Sequence, residues 1–176
     1  MLSDFFFQIA SLKTLPRSGW KVNLNLEKSE SVAEHSYMMS VMAMILSDIK
    51  NLDTEKIIKM SILHDWAESK IGDFLPNEIA SDKKTELEEY AMAEILDDLP
   101  TKIKEDYYNI WDEYKEGSSH ESRFVHEIDK LEMVLQAKIY EKNVDPEKIK
   151  PFIISAVEQI VNDDLKKVLI EIIQKT

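Results

Sequence analysis

Four residues of this chain have the types and settings to hold a metal: His35, the adjacent pair His64 and Asp65, and Asp129. The pair lies in Met60-Ser-Ile-Leu-His-Asp-Trp-Ala-Glu68, a run otherwise apolar enough to be a buried helix. His35 precedes Met38, Met39 and Met42 by three, four and seven residues, so at helical spacing it shares their apolar stripe. By the same spacing His64 follows Ile57 and Met60, Asp65 follows Ile58 and Ile62, and Asp129 falls between Val125 and Met133. Each points inward. A buried carboxylate with no partner costs several kcal/mol or takes up a proton, whereas one divalent cation satisfies two His and two Asp together. The plainer alternative satisfies each alone, His35 near a helix cap and Asp129 through Lys130 or an arginine. His120, in a capping region, and His126, among polar neighbours, read as surface residues.

Glu68 lies four residues past His64 and three past Asp65, on the same expected helical face, and Asp73 follows the break at Gly72. Two carboxylates flanking a water beside a metal suit hydrolysis. Glu68 would equally serve an intrahelical pair near Lys70 or face solvent, and Asp73 would equally cap a turn. Arg17 and Trp20, in Leu15-Pro-Arg-Ser-Gly-Trp20, offer a cation for phosphate and an aromatic plate for a sugar or base in a loop before the His35 helix. Their alternatives are a surface arginine and a tryptophan packing the bundle end.

The elements that must position these residues are helical. Phe5, Ile9 and Leu12 mark residues 2–13, and Pro16 and Gly19 break the chain. Ser31-x-x-Glu34 is a capping box that opens a helix to about residue 49, with Met38, Val41, Met42, Ile45 and Leu46 covering more than one face, as in a central helix. A second central helix, 54–68, carries the His-Asp pair until Gly72 and Pro76 force a loop. Amphipathic helices are expected over 83–98 and 101–115. Ser118-x-x-Glu121 predicts a second capping box for a helix to about 141, Asp145-Pro146 caps another to about 162, and a last spans 165–175. The expected fold is all-α, a single domain over residues 1–176 built as a bundle of about seven helices.

Composition narrows the chemistry. The 176 residues include no Cys, which excludes disulfide scaffolds, Cys-ligated zinc and a cysteine nucleophile. With 22 basic and 34 acidic residues the net charge is −12, which repels a phosphate backbone, so polynucleotides are excluded as partners while a small phosphorylated ligand remains compatible with local cations. No apolar run reaches the roughly 18 residues a membrane span needs, and Asp4-Phe-Phe-Phe-Gln8 lacks a basic leader, so a cytoplasmic protein without a membrane partner is expected.

The pattern His35, His64-Asp65, Asp129 resembles that of the HD-domain phosphohydrolases. More narrowly, Leu12-Lys-Thr-Leu-Pro-Arg-Ser-Gly-Trp20, Glu30-Ser-Val-Ala-Glu-His-Ser-Tyr37, Leu63-His-Asp-Trp-Ala-Glu68 and Ile71-Gly-Asp73 with Pro76 are similar to the HD-domain 5′-deoxynucleotidases. The likeness continues through Glu86 to Met92, Trp111 to Tyr114 and Asp129 to Gln136, and fades after about Glu141. In a bacterial branch of that family the matching Arg and Trp are adjacent, whereas Ser18-Gly19 separates them here. The resemblance implies an HD-type helical bundle, a homodimer, and a divalent metal such as manganese, cobalt or magnesium. It implies phosphate release from a small-molecule partner, a deoxynucleoside 5′-monophosphate. It makes His35, His64, Asp65 and Asp129 metal ligands, Glu68 and Asp73 the catalytic acid-base pair, and Arg17 and Trp20 substrate contacts. The competing readings are an HD phosphohydrolase acting on another small nucleotide, and a non-catalytic bundle that uses a metal for stability and binds a partner protein.

Overall fold

Helical periodicity runs through the chain, and the structure, a computed structural model, describes residues 1–75 and 78–175 as helices joined by short turns. Pro76, expected to help force a loop, lies outside the described residues. In chain order come α1 (Leu2–Ala10), a 3₁₀ turn (Ser11–Lys13), α2 (Ser18–Leu24), α3 (Val32–Lys50), α4 (Thr54–Leu63) and the short α5 (Glu68–Ile71). Then follow α6 (Ser81–Leu96), α7 (Thr101–Glu116), α8 (His120–Tyr140), a second 3₁₀ turn (Pro146–Lys148), α9 (Lys150–Gln159) and α10 (Asp163–Gln174). The all-α expectation holds, with α2 and α5 beyond the helices foreseen.

Three helices make the centre: α3 packs on α4 and α8, and α4 on α8, while α7, α9 and α10 pack around them. Met39 and Ala43 of α3, Ile57 and Met60 of α4, and Ile128 and Leu131 of α8 are fully buried in one cluster. Each large side chain so buried contributes about 1.5–3 kcal/mol. A second cluster, including Val32, Leu63, Trp66, Met92 and Trp111, closes the end of α4 against α6 and α7.

Several expectations are corrected. Residues 54–68 are not one helix, because α4 stops at Leu63. The segment after Pro16 is not a loop, since Arg17 caps α2 and Trp20 lies within it. The second capping box sits one residue later than predicted: Ser119 Oγ accepts from the Ser122 amide at 2.9 Å and the Ser119 amide donates to Ser122 Oγ at 3.0 Å. Gly117, at φ +60°, ends α7 in a left-handed turn that sets this start. Asp145 caps only the 3₁₀ turn before α9, and Asn162 caps α10. Helix α3 is buried along His35, Met39 and Ala43 but leaves Tyr37, Met44, Ile45 and Ile49 exposed, so it is central on one side only. Among the described residues no helix is long and apolar enough to cross a membrane.

Candidate active site

His35 enters the centre through the first turn of α3. The Ser31 amide donates to a Glu34 carboxylate oxygen at 2.7 Å and the Glu34 amide to Ser31 Oγ at 3.2 Å, the capping box read from sequence. The preceding chain doubles back alongside: the Arg17 amide donates to the Glu30 carbonyl and the Val32 amide to the Leu15 carbonyl, each at 2.9 Å. This short bridged segment carries Arg17 to the His35 end of α3.

His64 is the last residue with α-helical bonding at the end of α4, its amide donating to the Met60 carbonyl at 3.0 Å. Beyond it the bonds shorten to i→i+3: Trp66 to Leu63 and Glu68 to Asp65, both at 3.1 Å. In such a tight turn residues three apart eclipse, so Glu68 stays on the side of Asp65 although the helix is interrupted. Gly72, at φ +84°, then ends α5 in a conformation that a side chain would strain, and Asp73 returns toward α2. There its carboxylate accepts from the Ser18 amide at 2.6 Å, and Ser18 Oγ donates to the Asp73 carbonyl at 2.7 Å.

The four predicted ligands converge. His35 Nε2 lies 3.3 Å from Asp129 Oδ1 and 3.9 Å from Asp65 Oδ2, and His64 Nε2 lies 2.9 Å from Asp65 Oδ2. Ligand atoms of His35, His64 and Asp129 all fall within 4.8 Å of one another. Despite the nearby oxygens, His35 Nε2 and His64 Nε2 are buried without a hydrogen-bond partner. Unpaired imidazole nitrogens facing carboxylates fit a shared cation, whose ligands sit about 2.0–2.2 Å from it and so about 3–4 Å apart. The other imidazole nitrogens are taken: His64 Nδ1 pairs with the Ser61 carbonyl at 2.8 Å and His35 Nδ1 with Glu132 Oε2 at 2.5 Å. Lys130 Nζ donates to the second oxygen of Asp129 at 2.8 Å, the partner that the plainer reading of Asp129 foresaw.

Arg17 reaches into this cluster, Nη1 donating to Asp65 Oδ2 at 3.3 Å. Burial opposes its charge, but Asp65, Asp129, Asp73 and Glu68 hold the guanidinium ionised, well above its ordinary pKa. Burial and Arg17 likewise oppose the imidazolium of His35, yet Asp129 and Glu132 raise it to about 9. Glu68 behaves differently. It is 7 % exposed, its Oε2 has no partner, and burial with the charges of Asp65 and Asp73 pushes its pKa up to about 10. Burial also raises Asp73, against the Ser18 amide and Arg17.

The HD domain family matches residues 9–172, nearly the whole chain. The chain belongs to the HD domain family. It is 41 % identical over 141 residues to 5′-deoxynucleotidase HDDC2 of Mus musculus, covering 80 % of this chain and 70 % of the relative. It is 31 % identical over 164 residues to 5′-deoxynucleotidase YGK1 of Saccharomyces cerevisiae, covering 90 % and 75 %. The crystal structure of the PH0347 protein from Pyrococcus horikoshii OT3 superposes with a TM-score of 0.77 at 31 % identity, over 97 % of this chain and 95 % of that one.

Within this HD domain the structure gathers Arg17, His35, His64, Asp65, Glu68, Asp73 and Asp129 around one point, and leaves Trp20 apart from it. Trp20 is 3 % exposed, its Nε1–H donates to Glu30 Oε1 at 2.7 Å, and its ring packs on Phe152 and Tyr140. The expected open aromatic plate is therefore corrected: a ring on the inner face of a helix stacks on the core. His126 is half-buried rather than superficial, stacked on Tyr114 at 4.2 Å, while His120 is exposed as expected. Glu132 and Glu30 escaped the sequence reading. The signal for Glu132 was its place three residues after Asp129, hence on the same face of α8.

Proposed function

We propose that this HD domain, taken as one domain over the whole chain, is a 5′-deoxynucleotidase that hydrolyses deoxynucleoside 5′-monophosphates to a deoxynucleoside and inorganic phosphate. The observation that carries the reading is Glu68: a buried carboxyl with an unpartnered oxygen, beside the candidate metal cluster and raised by Asp65 and Asp73, is suited to handling a proton. A merely structural metal site would need no such group. The relatives named as 5′-deoxynucleotidases support the substrate class.

His35, His64, Asp65 and Asp129 would hold a divalent cation, with manganese, cobalt or magnesium the ions that the resemblance to the 5′-deoxynucleotidases implies. When bound, such an ion polarises a phosphoryl group and lowers the pKa of an adjacent water toward neutrality. Arg17, fully ionised and already beside Asp65, would grip a phosphate oxygen and orient the ester for in-line attack. As the water oxygen bonds to phosphorus it gives up one proton, which Asp73 would accept, and as the P–O5′ bond breaks the leaving 5′-oxygen takes one. Glu68, which carries one at neutral pH in the metal-free protein, is the donor this reading favours. Asp73 would position water or substrate while its link to Ser18 holds the Arg17 segment in place. Trp20 would anchor that segment from inside rather than touch the sugar.

The exposed apolar face of α3, with Tyr37 and Ile49 at 71 % and 70 %, supports a homodimer in which a second copy covers it. The chemistry of a nucleoside monophosphate substrate supports a cytoplasmic site of action. The test is a panel of ribo- and deoxyribonucleoside 5′-monophosphates assayed for phosphate release with Mn²⁺, Co²⁺ and Mg²⁺. Release from the deoxy series above the ribo series is expected; no release from any member with any metal would overturn the assignment.

A further inference from the structure

We propose that Glu132 is a positioning residue for the metal site, acting through His35: it holds the imidazole with Nδ1 protonated so that Nε2 is free to meet the cation. This rests on reading His35 as a metal ligand. Glu132 is 1 % exposed and His35 fully buried, and their side chains meet at 2.5 Å through Nδ1, on the ring edge opposite the cluster. An N–H held by a carboxylate fixes both the tautomer and the ring plane of a ligating histidine.

The surroundings explain why a carboxylate tolerates this depth. Glu30, His35 and Glu132 offer ligand atoms within 4.8 Å of one another, a grouping that by itself suggests a second cation. The contacts speak against one. The His35 to Glu132 separation is too short to admit an ion, and Glu30 Oε1 already accepts the indole N–H of Trp20 at 2.7 Å. Glu30 is also fixed through its backbone, its amide donating to the Tyr140 hydroxyl at 2.7 Å. The order is therefore Trp20 to Glu30, then Glu132, then His35, running from the core toward the metal cluster. Asp129 and Glu132, three residues apart on α8, approach His35 from its two nitrogens, so one helix supplies both a ligand and the support of another ligand.

Equilibrium dialysis of the full chain against Mn²⁺ alone tests the proposal without reference to turnover. Glu132→Gln keeps shape and an acceptor oxygen, and should bind within a few-fold of wild type. Glu132→Met keeps bulk but accepts nothing from Nδ1–H, and should lose about 10–100-fold in affinity, the usual cost of losing such support. Equal affinity in wild type and a folded Glu132→Met would overturn the role. Absence of Mn²⁺ binding by wild type would instead overturn the metal reading itself. Should Glu132→Met not fold, ¹⁵N NMR of the His35 ring in Zn²⁺-loaded wild type decides: Nδ1 protonated and Nε2 bonded to Zn²⁺ is expected, and Zn²⁺ on Nδ1 or an Nδ1 without its proton overturns the proposal.

Discussion

Glu127 and Glu68 are both buried glutamates, 8 % and 7 % exposed, and the structure uses them in opposite ways. Glu127 sits on α8 facing the start of α10, where one carboxylate oxygen accepts from the amides of Val161 and Asn162 at 3.0 and 2.8 Å. Those amides precede a helix whose first N–H groups have no internal partner, so the carboxylate is consumed by architecture. Glu68, after the tight turn beyond α4, has an oxygen with no partner and two more carboxylates nearby. Burial alone does not separate a structural acid from a chemical one. The account of hydrogen bonds together with the surrounding charge does, because a buried polar atom left unpaired costs about 1–3 kcal/mol: Glu113 also has such an oxygen, but its carboxylate is paired with Lys56 at 2.6 Å, whereas Glu68 faces the charges of Asp65 and Asp73.

The contrast breaks most directly at Glu68. Glu68→Gln should lower kcat by about 10²–10⁴-fold, the usual contribution of a positioned proton carrier, while Mn²⁺ affinity stays near wild type. A variant with full activity would remove Glu68 from the chemistry and make it an ill-satisfied structural residue.

A smaller effect follows from His35, whose imidazolium is held to about 9 by Asp129 and Glu132 against burial. A ligand nitrogen must lose that proton, so affinity for Mn²⁺ should rise with pH through the neutral range, by up to about tenfold per unit for one proton released, and level off above about 9. The stability of the metal-free protein should move the other way. The contribution of a raised imidazolium is complete below its unfolded value of about 6.5 and is lost as pH climbs through about 9. Dialysis and denaturant melts across pH 6–10 read both slopes.

The least effect on turnover belongs to Glu127. Glu127→Ala strands two backbone amides and should destabilise the fold by about 1–3 kcal/mol in urea melts, with kcat of the folded fraction unchanged. A large loss of kcat without a loss of stability would reverse the distinction drawn between the two glutamates.

Much of this was legible in residue order. The capping box at Ser31 and Glu34 set the start of α3 and the depth of His35, and three-to-four spacing turned His64 and Asp129 inward, because those rules are local to a few turns of helix; Asp65 lies past the end of α4, its spacing partner Ile62 is exposed, and the tight turn brings it to the cluster. The Ser119 cap slipped by one residue since Ser118 and Ser119 offer equivalent hydroxyls and only the left-handed turn at Gly117 selects between them. Residue order leaves Trp20 open between a substrate contact and a core ring for a related reason. An aromatic residue beside an arginine has no pattern that tells a binding plate from a core ring until Tyr140 and Phe152, more than a hundred residues away, come to lie against it.

The sequence by itself determined an all-α HD domain and singled out the candidate ligands, because helical period and residue chemistry are properties of short stretches. Only the tertiary structure decided what stands behind the ligands and which carboxylate is left without a partner. His35 meets Glu132, and Asp73 meets Ser18, across 97 and 55 residues of chain, and Glu68 is distinguished from Glu127 by the hydrogen bonds its neighbours do not offer. Such accounts close only in three dimensions, since a donor that satisfies a buried oxygen carries no mark of it in its own local sequence.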